Sequence, residues 1–233
     1  MEALEKECLF LLKNKFDSVP ENIKRIKIDV GIHKGKMSQN WLNKSPDLFV
    51  FGFEPHEECA EKVKNKINNR EIPDRLAIIP YAVDNDCVKN NIFFWTTGYT
   101  GCSSLLKPNS NLFMKISEGI EEKNVISISL NFFFQKFPWD RFEYIEYLKI
   151  DAQGKDLDIL KSAGEYLKER VVFVTAEPET IDYENSKNNN VTNIVNYMIS
   201  QNFILINHPM TTDPTFLNRK FINIAESIYI YQT

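Results

Sequence analysis

Apolar residues recur along this chain in two rhythms, dense short runs and wider helical spacings, and the two alternate. Residues 25–30 (Arg-Ile-Lys-Ile-Asp-Val) stop at Gly31 and Gly35, which predicts a first strand closed by a tight turn. Residues 48–53 are apolar throughout, as expected of a strand buried on both faces. Further strands are predicted over 76–83, 144–151, 171–176, 203–207 and 227–231, making seven. Helices are predicted over 2–16, 36–43, 57–69, 155–170 and 191–201, with a polar loop over 184–190. Strands alternating with helices indicate an α/β fold with a mostly parallel sheet and helices on both faces. The last two strands have no clear helix between them and are expected to pair antiparallel. Residues 91–130 break the rhythm. They read as an insertion after the third strand, containing one or two strand-like pieces and a turn-rich Thr-Gly-Tyr-Thr-Gly-Cys-Ser-Ser segment.

The 233 residues suit a single domain over 1–233, with 1–20 as an N-terminal helical extension. A hydrophobic fraction of 43 % can fill a core, and a charged fraction of 26 % is ordinary, which excludes a disordered chain. The net charge of −4 argues against a nucleic-acid partner, because such binders place Lys and Arg along phosphates. The short basic run 24–27 reads as a solvated face. Four separated cysteines with no Cys-x-x-Cys pair, no signal-like start and no long apolar span lead to the expectation of a cytoplasmic protein without a membrane span. The aromatic-rich stretch 132–147 reads as core before it reads as a sugar platform. A homodimer through the apolar parts of 91–142 remains open.

The candidate chemistry gathers where strands end. Asp29 sits near the tip of the first strand, ahead of Gly31 and Gly35, and Glu54 ends the second. Ligands of open α/β sheets bind at this carboxyl edge. The Gly-x-x-x-Gly spacing is not that of dinucleotide binders, and a carboxylate at Asp29 would repel a pyrophosphate. A phosphate-free nucleoside carrying a sulfonium and an ammonium, as S-adenosylmethionine does, suits that acid, and Glu54 can accept ribose hydroxyls. His33 is expected near this cofactor. Ala82 and Val83 either flank the adenine or simply pack in the core.

Several stretches, in order over roughly 25–180, resemble the FkbM family of S-adenosylmethionine-dependent methyltransferases. Asp29-Val30-Gly31-Ile32-His33-Lys34-Gly35-Lys36-Met37-Ser38 is similar to its Asp-x-Gly-Ala-Asn-x-Gly-x-x-Ser opening, and Phe51-Gly52-Phe53-Glu54-Pro55 to its Ala-Phe-Glu-Pro segment. Tyr81-Ala82-Val83, Ser103-Ser104-Leu105 and Leu148-Lys149-Ile150-Asp151-Ala152-Gln153-Gly154 resemble its later elements, as does the apolar run from Val172 to Glu177. The resemblance implies a Rossmann-like class I methyltransferase fold and a cofactor site that includes Ser38, Pro55, Ser103 and Ser104. It also implies O-methylation, commonly of carbohydrate-like hydroxyls. Two departures stand out. Ile32-His33 replaces Ala-Asn, and Gln153 replaces a signature Glu, which leaves a non-catalytic S-adenosylmethionine-binding module, or a methyltransferase of nucleic acid or another small molecule, as alternatives.

Methyl transfer to a hydroxyl needs alignment and removal of a proton that is not acidic at neutral pH. Asp151 and Glu177 end the fourth and fifth predicted strands. If those strands are neighbours, the two acids share one cleft, with Asp151 as general base or metal ligand and Glu177 assisting. Lys149 either orients an acidic substrate or pairs with Asp151. Gln153, Tyr99 and Trp95 are candidates for touching the acceptor, the last two because Gly98 and Gly101 suggest a loop that can adapt. His33, His56 and His208 show no metal-ligand spacing, so a divalent metal is not indicated.

Overall fold

The computed structural model describes residues 2–97, 100–110, 112, 119–207 and 213–230. Seven strands form one sheet in the order β3-β2-β1-β7-β8-β10-β9. These are β1 (Arg25–Val30), β2 (Leu48–Phe53), β3 (Leu76–Ile79), β7 (Ile145–Ile150), β8 (Val171–Ala176), β9 (Phe203–Leu205) and β10 (Thr215–Asn218). Neighbours are parallel from β3 through β8, whereas β10 runs antiparallel to both β8 and β9.

Period-two alternation decides what each strand gives to each face. Phe49, Phe51 and Phe53 of β2 join the larger core, beneath the helices α1 (Glu2–Asp17) and α4 (Leu130–Lys136). Leu48 and Val50 point the other way, toward α2 (Lys36–Lys44) and α3 (Glu57–Asn68). The aromatic stretch after residue 131 is core, with Phe132, Phe133, Phe134, Phe137 and Phe142 all buried. Phe133 meets Phe16, Phe51 and Phe53 edge-on, at ring centroids 5.2 to 5.7 Å apart.

Four sequence expectations need correction. The third strand does not run through to residue 83. Pro80 offers no N–H to a ladder, and β4 (Ala82–Val83) instead pairs with β6 (Ile120–Ile128) in a separate three-stranded sheet, β4-β6-β5. Its third member β5 (Lys89–Thr96) runs antiparallel to β6, so the insertion is a β-unit beside the main sheet. The helix expected over 155–170 is two, α5 (Asp156–Ser162) and α6 (Glu165–Arg170), broken where Gly164 adopts φ 58°. The closing strand expected at 227–231 is wrong, because residues 227–230 lie in helix α7 (Ile222–Ile230) and the strand that completes the sheet is β10. Phe221, Ala225 and Ile228 recur at spacings of four and three and pack on Tyr144 and Tyr147, a helical face that the clustered Ile and Tyr residues disguise. The basic run 24–27 is not a solvated face throughout. Lys27 is buried, 3.2 Å from the buried Glu146 and 5.0 Å from the Trp41 ring. No helix among the described residues is long and apolar enough to cross a membrane.

Candidate functional site

The strand order turns between β1 and β7, the place where an open α/β sheet leaves a crevice at its carboxyl edge. A cavity of about 340 Å³ opens there, within the size range of small-ligand sites. The loops after β1, β2, β7 and β8 and the inserted β-unit wall it.

The loop after β1 begins at Gly31, whose φ of 75° and close packing on the Asp151 carbonyl leave no room for a side chain. Gly31 and Ile32 both donate their N–H to the Phe53 carbonyl, at 3.1 Å each. The chain then turns so that the His33 N–H donates to Glu54 Oε2 at 2.7 Å, while the His56 N–H donates to Oε1 at 2.9 Å. Burial pushes the Glu54 carboxyl up to about 7 against the pull of these amides. Each oxygen keeps acceptor capacity beyond its one amide bond, and Glu54 lines the cavity. The His33 ring also lines it, 2.7 Å from Thr100 Oγ1 of the insertion, and burial keeps this imidazole neutral by lowering its pKa. Tyr81, Ala82, Val83, Phe93 and Leu105 supply an apolar wall.

The acids at the ends of β7 and β8 come together, as adjacent strands require. Asp151 Oδ2 accepts from Lys149 Nζ at 3.1 Å, and Asp151 Oδ1 from Gln153 Nε2 at 2.9 Å. The same Nε2 donates to Glu177 Oε2 at 2.9 Å. Burial would raise the Asp151 carboxyl, but Glu177, Lys149 and Gln153 outweigh it and hold Asp151 below the usual carboxylate range. Glu177 goes the other way, because burial and the neighbouring Asp151 charge both lift it, to about 9. The pair therefore holds one proton at neutral pH. Burial would lower Lys149, yet Asp29 and Asp151 together keep it firmly charged.

Not every expected residue faces the cavity. Pro55 and Ser103 do, with Ser103 Oγ also accepting from the Thr96 N–H at 3.1 Å. Asp29, placed by the sequence against the cofactor, is buried beneath the crevice. It accepts from Ser38 Oγ at 2.7 Å and pairs with Lys149 at 3.5 Å. Strand alternation turns it onto the α2 side, so it and Ser38 stand behind Lys149 instead of in the wall. Gly35 packs against Val63 and Ile72. Ser104 Oγ donates to the Gln153 carbonyl at 2.8 Å. Trp95 is covered by the His56 ring, with centroids 3.8 Å apart, and Tyr99 lies outside the described residues. Gln153, expected to touch the acceptor, has both amide hydrogens engaged by the two acids. Lys149 lies between Asp29 and Asp151, 3.5 and 3.1 Å from their carboxylate oxygens. The Lys149 ammonium sits against one Asp151 oxygen and the Gln153 amide against the other. Among the described residues no cluster of three or more His, Cys, Asp or Glu side chains is placed to hold a metal ion.

Sequence reasoning missed Asp156, Asn189 and Tyr183. Asp156, at the start of α5, is fully buried. Its Oδ1 accepts from the Glu177 N–H at 2.9 Å and its Oδ2 from the Ala152 N–H at 3.4 Å, and burial lifts its carboxyl to about 7. Asn189 Nδ2 donates to the Glu177 carbonyl at 3.1 Å. Together they fix the main chain that carries both acids. An Asp in a first helical turn usually serves the helix dipole from the surface, so nothing in its local sequence marks Asp156 as buried.

The family model of the methyltransferase FkbM domain matches residues 29–205. No curated protein matches the chain in sequence. Among solved structures, TrmK of M. capricolum in complex with S-adenosyl-homocysteine is 10 % identical over 89 % of this chain, with a TM-score of 0.41, and the chain covers 66 % of it, just under two thirds. A putative rRNA-methylase from Clostridium thermocellum is 10 % identical, covering 88 % of this chain and 94 % of its own, with a TM-score of 0.43. The N-terminal domain of human METTL16 in complex with SAH is 9 % identical over 91 % of this chain and 68 % of its own, with a TM-score of 0.42. Identities of this size carry no acceptor over to this chain.

Proposed function

Since the chain belongs to the FkbM family of S-adenosylmethionine-dependent methyltransferases, we propose that it methylates a hydroxyl of a sugar or glycan-like acceptor. The observation that carries this reading is the Asp151–Glu177 pair at the cavity wall, a proton acceptor of the kind a weakly acidic alcohol requires. The cofactor, when bound, would supply an electrophilic methyl group. Glu54 suits its ribose end, and the apolar wall of Ala82, Val83 and Phe93 suits its base.

The remaining work falls to the chain. Loop residues 31–34 and Glu54 hold the nucleoside. Asp151, kept ionised by Lys149 and Gln153, orients the acceptor hydroxyl and holds Glu177 beside it. As the acceptor oxygen gains the methyl group, its proton passes to the pair, where Glu177 is the stronger base. That assignment fixes the pH dependence. Glu177 accepts a proton only when ionised, so kcat/KM is expected to rise with pH and level off near 9. A profile flat from neutral pH to beyond that point would remove Glu177 from the role.

The direct experiment incubates the protein with labelled S-adenosylmethionine and a panel of neutral sugars, oligosaccharides, amines and RNA. Label is expected on a sugar oxygen, and transfer to RNA or amines alone would overturn the proposal. Glu54→Gln places an amide donor against a main-chain N–H and is expected to weaken S-adenosylmethionine binding about tenfold, read by calorimetry. An unchanged Kd would remove Glu54 from the cofactor site.

A further inference from the structure

Gln153 stands three residues beyond β7 in a left-handed backbone, φ 52°, followed by Gly154 at φ 96°. Gly154 is held in a confined place, since an added Cβ would lie 3.0 Å from Leu106 Cδ1 and 3.1 Å from Ser186 Cβ. This turn aims the Gln153 amide between two acids, with Nε2 2.9 Å from Asp151 Oδ1 and 2.9 Å from Glu177 Oε2. Both amide hydrogens are spent on those bonds. The opposite orientation would set an amide oxygen against the ionised Asp151 carboxylate, so Asp151 dictates which way the group points. Behind it, the Tyr183 hydroxyl lies 3.1 Å from Gln153 Oε1 and 2.7 Å from the Cys102 carbonyl, and Ser104 Oγ donates to the Gln153 main chain. The residue is thus anchored from the insertion and from the loop after β8 at once.

We propose that Gln153 is a positioning residue for proton transfer: its neutral amide ties Asp151 and Glu177 into one proton-holding unit and keeps a further negative charge out of the cluster. The inference rests on the reading of this pair as the base. The balance of charge around the pair makes neutrality matter. Asp29 from β1, Glu54 after β2 and Asp156 from α5 act on Asp151, and Asp156 and Asp213 ahead of β10 act on Glu177, while Lys149 is the cation paired with Asp151 and His33 is neutral. A carboxylate at position 153 would meet both acids across the distance the amide now bridges. Like charges at that range raise one another's proton affinity.

The test compares Gln153→Glu, nearly isosteric but ionisable, with Gln153→Met, neutral and of similar length but without N–H donors. The Glu177 carboxyl is followed by ¹³C NMR in acceptor-free protein, and kcat/KM against pH is measured in parallel. In Gln153→Glu the Glu177 titration and the kinetic break are both expected to move up by about one pH unit. Activity at neutral pH should then fall about tenfold, while the Kd for S-adenosylmethionine stays within about twofold. Gln153→Met should move the titration in the same direction by a smaller step, since it only removes hydrogen bonds to the charged forms. A side chain that merely fills space would leave the Gln153→Met titration at the wild-type position, and an unmoved titration in either folded variant overturns the inference. Absence of methyl transfer to any sugar by the wild-type protein would instead overturn the proposed function, and the titration in acceptor-free protein would still decide the part played by Gln153.

Discussion

Asp151→Asn is expected to lower kcat by about 100-fold or more, in the range that positioned acid–base groups contribute, while S-adenosylmethionine still binds. The substitution keeps the shape of the side chain and removes its charge. It also leaves a mismatch that cannot be turned away. With its amide nitrogen toward Lys149 it sets a donor against an ammonium at 3.1 Å, and flipped it sets a donor against Gln153 Nε2 at 2.9 Å. Glu177 loses the neighbouring charge that helps lift its carboxyl, so it becomes a weaker base and the kinetic break should fall below the wild-type position near 9. Glu54 and the apolar wall lie apart from this change, and the Kd for the cofactor should stay within about tenfold. Steady-state kinetics across pH and calorimetry separate the two effects. Near-normal turnover in Asp151→Asn would mean that the proton leaves by another route.

The parts of this arrangement that were legible in the sequence are those set by neighbours along the chain. Strands β1 and β2 end where expected because the alternating run Arg25–Val30 meets Gly31 and the apolar run Leu48–Phe53 meets Glu54 and Pro55, and Asp151, Glu177 and Glu54 were findable as acids at strand ends. Asp29 shows how the same logic misleads. One residue short of the strand tip, alternation turns its side chain beneath the sheet, where Ser38 and Lys149 take it up. What stayed hidden depends on contacts across long separations. Gln153 reaches Tyr183 of a loop 30 residues on, and Asp156 reaches the Glu177 amide 21 residues on. Helix α7 is hidden for a different reason, since its Ile and Tyr residues favour strands locally and only packing on Tyr144 and Tyr147 selects the helical period. The departure at Gln153 was visible as a change of charge, but its meaning required knowing that the amide lies between two acids.

Gly31→Ala is expected to destabilise the fold by about 3 kcal/mol or more, the combined scale of a left-handed alanine and an overpacked contact. An alanine Cβ here would lie 2.0 Å from the Asp151 carbonyl oxygen and 3.1 Å from its carbon. Neither atom can swing away, because the Asp151 N–H is itself bonded to the Val30 carbonyl at 3.1 Å. Gly35 provides the control. It has the same φ of 75°, but its added Cβ would meet Ile72 and Val63 side-chain methyls at 3.2 to 3.3 Å, which can shift. Gly35→Ala should therefore cost little beyond the backbone strain of about 1 kcal/mol. Urea denaturation of both variants gives the comparison directly, and equal losses would show that backbone conformation alone explains Gly31. If Gly31→Ala remains folded, relief must come from separating the tips of β1 and β7, which carry the cofactor loop and the proton acceptor respectively. Cofactor affinity and turnover should then fall together, a coupling that Gly35→Ala, remote from Asp151, has no means to produce.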